Sequence, residues 1–222
     1  MENFDYNDAI TCLNRKKEIQ SSQIPIEDLS DLINQNANEQ KFLKLIKKDL
    51  SFLADVFAQP VDEYICLSEY HIGEKIVDFI VLTSRSRMEV CLIEVKGADF
   101  NICKKNHYGG MTSHIHDAEK QLLQHELYIQ QNYITFIKKI HSTKHDVVTG
   151  AYSANYLLGP KGNLFVDPEK DIKLRKIIIG GKKSNDYRDS HECSMFEQDH
   201  KNLSIYSWES FLRRVDQQHG HY

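Results

Sequence analysis

The sequence lacks the features of membrane-inserted and exported proteins. It contains no apolar run that approaches the roughly 20 residues needed to span a bilayer. Its start, MENFDYNDAI, has no basic-then-apolar pattern of a signal peptide. Its five cysteines are odd in number and scattered, and none forms a CxxC pair. We therefore expect a reducing, cytoplasmic setting and no membrane partner.

The sequence also lacks an excess of positive charge. The net charge is −4, so any binding to nucleic acid would need a local basic surface. Charge clusters of this kind are more often solvated surface than binding sites. Two clusters are candidates: Lys104, Lys105, His107, His114 and His116 form one, and Lys173, Arg175, Lys176, Lys182, Lys183 and Arg188 form the other.

Common nucleotide and hydrolase motifs are missing as well. The Gly180–Lys182 segment lacks the upstream glycine of a G-x4-GK-[ST] phosphate loop, and it predicts a strand-ending turn. No serine or cysteine lies in a recognisable nucleophile elbow. His107, His114 and His116 could bind zinc, but no cysteine or acidic partner has matching spacing. A phosphate-facing helix start and solvated histidines stay open as alternatives.

Apolar periodicity predicts an α/β protein with a mixed central sheet flanked by helices. The 222 residues suit one domain, or one domain with a helical extension. We predict helices over 8–19, 26–34, 36–57, 114–141, 188–200 and 207–216, and strands over 64–71, 75–83, 88–96, 147–158, 174–179 and 203–206. The third helix has an alternative, a break near residues 49–50.

Two of the predicted inner strands carry charged side chains. Asp78 lies within VDFIVL, and Glu94 and Lys96 lie within CLIEVKG. Alternation along a strand places Glu94 and Lys96 on one face. If the connecting hairpin pairs residue 83 with residue 88, Asp78 lies one step from the residue opposite Glu94. A bulge or bend would then be needed to bring the two carboxylates together.

Buried carboxylates are costly unless they are paired or bind a metal. Asp78 and Glu94, with the backbone carbonyl of Val95, form an all-oxygen set that suits Mg²⁺, with Mn²⁺ as a substitute. Lys96 would then assist an attacking water or stabilise charge on a phosphate. A structural ion pair at a strand end is the alternative.

The pattern D…(D/E)-x-K on adjacent strands resembles the PD-(D/E)XK nuclease superfamily, and the chain resembles more narrowly the nuclease domain of the Shedu family of anti-phage defence proteins. The resemblance covers about residues 36–216. It is carried by NEQKFLKLIKKDLSFL, VDFIVL, LIEVKGAD, SHIHDAEKQLLQ, KIIIGGKKSNDYR and LSIYSWESFL, in that order. It implies a restriction-endonuclease-like α-β-β-β-α-β core over residues 36–222, after a short helical N-terminal extension over residues 1–35.

The resemblance also implies site residues. Asp78 and Glu94 match the metal carboxylates and Lys96 matches the catalytic lysine. Gln121 matches a glutamine on the following helix, and Glu39 matches an acidic residue on the first helix. The family often has Tyr four residues after that glutamine. Here the pair is either Gln121 with His125 or, one turn on, Gln124 with Tyr128.

The implied function is metal-dependent hydrolysis of DNA phosphodiesters in anti-phage defence. It carries with it 5′-phosphate products and assembly into homo-oligomers. Members of the family usually have a large sensing region ahead of the nuclease, so we expect a separate sensor or activator here. The alternatives are a related nuclease of repair, recombination or restriction, and a non-catalytic module that binds nucleic acid on the same fold.

Overall fold

A computed structural model of the chain describes residues 6–104 and 110–219. The helices are α1 (Tyr6–Ser21), α2 (Ile26–Asn34), α3 (Glu39–Lys48), α4 (Ser51–Phe57), α5 (Ser113–Gln131), α6 (Tyr133–Val148), α7 (Asp186–Asp199) and α8 (Trp208–His219). The strands are β1 (Tyr64–Ile72), β2 (Lys75–Thr83), β3 (Glu89–Val95), β4 (Tyr156–Leu158), β5 (Lys173–Ile179) and β6 (Leu203–Tyr206). None of the helices in these ranges is long and apolar enough to cross a membrane.

The six strands form one mixed sheet in the order β4-β1-β2-β3-β5-β6. The first four strands in this order pair antiparallel, whereas β3, β5 and β6 pair parallel. Parallel strands need a crossover, and α5 and α6 lie in the connection between β3 and β5. The predicted α/β class with a mixed sheet flanked by helices is confirmed.

Each face of the sheet carries its own apolar core. Phe79 and Val81 of β2 point to the side that packs against α2, α3, α4 and α8. Ile80 and Leu82 point to the opposite side, against α5 and α6. The strands at the centre are therefore apolar on both faces, which is why a charged side chain there needs a specific reason.

The predicted helix over 36–57 is interrupted, as the alternative proposed. The Asp49 carboxylate accepts hydrogen bonds from the Ser51 N–H at 3.0 Å and hydroxyl at 2.6 Å, and from the Ile24 N–H at 2.8 Å. The backbone of Asp49 is extended and no longer helical, with φ −139° and ψ 91°. Its carboxylate thus starts α4 and ties the segment after α1 to the domain.

Two predictions of longer elements are wrong. The helix predicted over 114–141 breaks at Asn132, where φ is −123° and the side-chain amide donates to the Tyr128 carbonyl at 3.0 Å. The strand predicted over 147–158 is limited to β4, because residues 147 and 148 belong to the last turn of α6. Val147 is buried one helical turn after Thr143, so the helical spacing of α6 prevails over the β-preference of a valine pair.

The division predicted at residue 35 stays a prediction. Leu29 and Ile33 of α2 are buried in the same core as Trp208 and Phe211 of α8. In the same N-terminal segment, the Arg15 guanidinium of α1 donates to the Leu158 carbonyl of the edge strand β4 at 3.2 and 3.3 Å. Such a contact covers an otherwise open strand edge.

The register of the β2–β3 hairpin differs by one residue from the expected one. Thr83 pairs with Glu89, not with Met88. Ser84 and Ser86 in the connection have positive φ values of 80° and 63°, and this five-residue loop takes up the additional residue. Continued along the strands, the observed register places Asp78 directly opposite Glu94, so no bulge is needed.

Candidate active site

Asp78 and Glu94 face each other on neighbouring strands, at the end of the hairpin away from its turn. The Asp78 Oδ2 accepts the Val95 N–H at 2.8 Å, which fixes the aspartate against β3. Glu94 is 3% exposed, next to the core formed with α5. Side chains directly opposite on one sheet face have Cβ atoms about 5 Å apart, so these two carboxylates share one small region.

The electrostatics of this pair are unfavourable without a cation. Burial and, second, the neighbouring Glu94 raise the pKa of Asp78 from 3.8 to about 7. The Val95 N–H and the Lys96 ammonium act in the opposite direction. A protein keeps two such carboxylates together either with a shared proton or with a bound positive charge.

Lys96 brings its positive charge to the same place. Its Nζ lies 3.1 Å from Glu39 Oε2 and 4.0 Å from Glu94 Oε2, and its side chain is 12% exposed. Glu39 comes from the first turn of α3, on the far side of the β3 end. The structure therefore brings four of the residues predicted from the sequence together: Asp78, Glu94, Lys96 and Glu39.

The backbone of Lys96 is held by two contacts that the sequence did not predict. Its N–H donates to the Ile179 carbonyl of β5 at 2.8 Å, and its carbonyl accepts the Trp208 indole N–H at 2.9 Å. Trp208 is fully buried and stacks on Phe42 with ring centroids 3.8 Å apart. Trp208 is therefore a core residue that also positions the lysine.

Gly180 is required by the close approach of Lys96. A Cβ atom at position 180 would lie 2.6 Å from the Lys96 Cβ and 3.2 Å from its Cα. The Gly-Gly pair is thus a strand-ending turn, as predicted, and it leaves space for the lysine.

We expect Gly180→Ala to displace Lys96, to lower stability by about 1–3 kcal/mol through overpacking, and to remove most of any activity that depends on Lys96. The matched control is Gly150→Ala, because Gly150 has a φ of 75° and open space around it. Strain there should lower stability by about 1–2 kcal/mol without touching the lysine. Equal loss of activity in the two variants would contradict this role of Gly180; thermal unfolding and cleavage rate are the measurements.

The oxygen atoms of Asp78, Glu94 and the Val95 carbonyl are the candidate ligands for a divalent ion. Within residues 6–104 and 110–219, no group of three or more His, Cys, Asp or Glu side chains could hold a metal ion. Asp78 and Glu94 supply two carboxylates. In a strand, the N–H and C=O of one residue point to the same neighbour, so the Val95 carbonyl lies on the Asp78 side. Few protein ligands and several waters are what Mg²⁺ accepts, so the residues fit it.

The zinc interpretation is not supported by the part of the chain that is described. His107 lies outside it. His114 stacks on Phe100 at 4.3 Å between ring centroids, and His116 Nδ1 lies 3.6 Å from Glu119 Oε2. His114 and His116, with Lys104, line a cleft of about 530 Å³ at the start of α5.

Three cations of the second basic cluster lie against neighbouring acids. Lys173 and Arg175 both contact Glu89, at 2.7 and 2.8 Å. Lys176 lies 2.6 Å from Glu126 and is 5% exposed. The positive charges of these three residues are therefore partly offset by the two glutamates. In the first cluster, Lys105 and His107 lie outside the described residues.

The glutamine register follows from the contacts of α5. Gln124 accepts a hydrogen bond from Lys75, and the Tyr128 ring packs against Gly73, so this pair lies at the β1–β2 turn. His125 instead is 2% exposed and its Nε2 lies 3.7 Å from Glu94 Oε1.

Gln121 is exposed on the same face of α5, one turn before His125. No hydrogen bond joins Gln121 to the carboxylates or to Lys96 among the residues described. His125 at Glu94 was missed as a site residue, although its spacing of four from Gln121 was the available signal.

A scan against known families identifies the chain. The model described as Shedu protein SduA, C-terminal, matches residues 36–212, and the chain belongs to that family. This confirms the resemblance found in the sequence and supports a role in anti-phage defence. No curated protein matches the chain at a significant level.

Proposed function

We propose that this protein is a metal-dependent DNA endonuclease that hydrolyses phosphodiester bonds in anti-phage defence. The observation that carries the proposal is the convergence of Asp78, Glu94 and Lys96 at one end of the β2–β3 hairpin. Strongly perturbed pKa values cluster at functional sites, and burial beside Glu94 raises the pKa of Asp78 to about 7. A catalytic site provides the reason for that cost.

The order of elements around the site supports a restriction-endonuclease-like core. The helices α3 and α4 precede three antiparallel strands, α5 and α6 follow them, and β5 then pairs parallel to β3. This is the α-β-β-β-α-β order expected of the superfamily. Asp78 lies in β2, and Glu94 and Lys96 lie at the end of β3. Residues held by strands in this way have a rigid frame.

Asp78, Glu94 and the Val95 carbonyl would hold Mg²⁺, or Mn²⁺ in its place, in this arrangement. When bound, the ion supplies the positive charge that polarises a phosphate and lowers the pKa of a coordinated water. The carboxylates themselves provide the negative charge, with Glu94 buried and Asp78 partly buried beside it.

Lys96 acts beside these carboxylates. Its ammonium lies next to Glu94 Oε2 and is held on its other side by Glu39 Oε2. From this position it orients an attacking water for in-line attack, or stabilises the charge that develops on the phosphate. Glu39 keeps the lysine directed to the site. We propose that Gln121, exposed one turn from His125, contacts the DNA backbone at the same opening.

The wider context of this function follows from the family. We propose double-stranded DNA of phage or plasmid origin as substrate, products with 5′-phosphates, and a homo-oligomeric assembly. A separate sensor or activator would supply target recognition.

The test is a cleavage assay with purified protein and Mg²⁺ or Mn²⁺ on supercoiled, linear, nicked and branched DNA, and on RNA of matching sequence. We expect cutting of DNA that Glu94→Gln abolishes. A strong preference for nicked or branched DNA would favour a repair or recombination nuclease instead. Nucleic acid bound but never cut would favour the non-catalytic module.

A further inference from the structure

The buried histidine of α5 has a contact that the proposed reaction does not use. His125 Nε2 faces Glu94 Oε1 at 3.7 Å, which is longer than a hydrogen bond but close for an electrostatic contact. Its other ring nitrogen, Nδ1, is buried and has no hydrogen-bond partner within the described ranges. A buried polar atom without a partner needs an explanation.

The unpartnered nitrogen indicates where the ring proton lies. A proton on Nδ1 would leave a buried N–H without an acceptor and would turn the Nε2 lone pair toward a carboxylate. A proton on Nε2 points an N–H at Glu94 Oε1 and leaves only a lone pair unpartnered, which is the less costly arrangement. The imidazole therefore donates toward the glutamate.

This contact gives the two carboxylate oxygens of Glu94 different neighbours. Oε1 faces His125, whereas Oε2 faces the Lys96 ammonium at 4.0 Å. Glu94 is 3% exposed, so its carboxylate has little room to turn between these neighbours. The two oxygens thus have different neighbours, and a contact that holds Oε1 at His125 leaves Oε2, on the Lys96 side, as the oxygen available to an ion.

We propose that His125 is a positioning residue that keeps Glu94 a one-oxygen ligand and thereby favours Mg²⁺ and Mn²⁺ over Ca²⁺ at the site. Mg²⁺ requires near-octahedral geometry and takes one oxygen from each carboxylate, whereas Ca²⁺ accepts both oxygens of a carboxylate in larger, flexible shells. Partners of this kind typically change metal affinity by about 10- to 100-fold when they are mutated. The inference rests on the proposed metal site.

The experiment is calorimetric titration of the full chain with Mn²⁺ and, separately, with Ca²⁺. His125→Phe keeps a planar ring and removes the donor. We expect it to weaken Mn²⁺ binding by about tenfold and to reduce the ratio of Mn²⁺ to Ca²⁺ affinity by a similar factor. His125→Gln keeps an N–H donor and should stay close to wild type. His141→Phe, a partly buried histidine on α6, is the matched control and should change neither affinity.

The outcomes separate this inference from the proposed function. A wild-type protein that binds neither ion overturns both. A wild type that binds Mn²⁺ beside a His125→Phe variant with the same affinity and the same ion preference overturns only the role of His125. Loss of binding in His125→Gln as great as in His125→Phe also overturns it, because the donor alone would then not suffice. If His125→Phe does not fold, His125→Leu takes its place.

Discussion

Asp78→Asn is expected to abolish DNA cleavage and, in the same protein, to raise its stability at pH 8 in the absence of divalent ions. The pKa of Asp78 is about 7 in the folded protein and 3.8 as its ordinary value. The folded state therefore holds this proton more tightly than the unfolded state, and the carboxylate destabilises the fold increasingly as pH rises from about 4 to 7. Asparagine has the same shape, has no charge, and can still accept the Val95 N–H.

The expected gain is roughly 1–3 kcal/mol at pH 8, because each unit of pKa shift corresponds to about 1.4 kcal/mol and relaxation around the pair reduces the full value. A gain of this size raises the melting temperature by several degrees in a domain of this length. Thermal unfolding in EDTA at pH 8 and pH 5 is the measurement. The advantage of the variant should shrink at pH 5, where folded wild type is mostly protonated at Asp78.

Asp28→Asn is the matched control, since Asp28 is exposed on α2 and lies outside the site. It should leave both cleavage and the pH dependence of unfolding almost unchanged. A loss of stability in Asp78→Asn at pH 8 would mean that the aspartate serves the fold, and the catalytic interpretation of its burial would be wrong.

Lys96→Ala is expected to lower the rate of DNA cleavage by about 10²- to 10⁴-fold, the range typical of a positioned acid–base group. It should leave Mn²⁺ binding largely intact, because both carboxylates remain. The reason is geometric: the Lys96 Nζ is fixed between Glu39 and Glu94, and within residues 6–104 and 110–219 no other lysine or arginine contacts these two carboxylates. Single-turnover cleavage and Mn²⁺ titration on the same preparation separate the two effects.

Lys47→Ala is a matched control for the loss of a lysine charge, since Lys47 pairs with Glu69 at 2.7 Å on the surface. Exposed pairs of this kind contribute about 0–1 kcal/mol, so this variant should fold and cut normally. A Lys96→Ala protein that cuts at nearly the wild-type rate would remove the lysine from the mechanism.

Much of the site could be predicted because its signals are local. Asp78, Glu94 and Lys96 are charged residues inside apolar strands, and alternation alone places Glu94 and Lys96 on one face. The hairpin register could not be predicted, because it depends on the positive φ of Ser84 and Ser86, which serine does not signal.

Contacts between distant segments could not be predicted from the sequence, because they depend on how the chain folds. The indole N–H of Trp208 reaches a carbonyl 112 residues earlier, and Gly180 matters only through its distance to Lys96. The break at Asn132 separates two helices that share one apolar period, so the periodicity continued across it. His125 was visible as a departure from the tyrosine of the family, but its burial against Glu94 needed the fold.

The most direct test of the central claim is the conversion of supercoiled plasmid by the wild-type protein, with Mg²⁺ or Mn²⁺ and with EDTA. The arrangement of Asp78, Glu94 and Lys96 predicts nicked and linear products with either ion and intact plasmid in EDTA. Intact plasmid under all three conditions, from a folded protein that binds Mn²⁺, would contradict it.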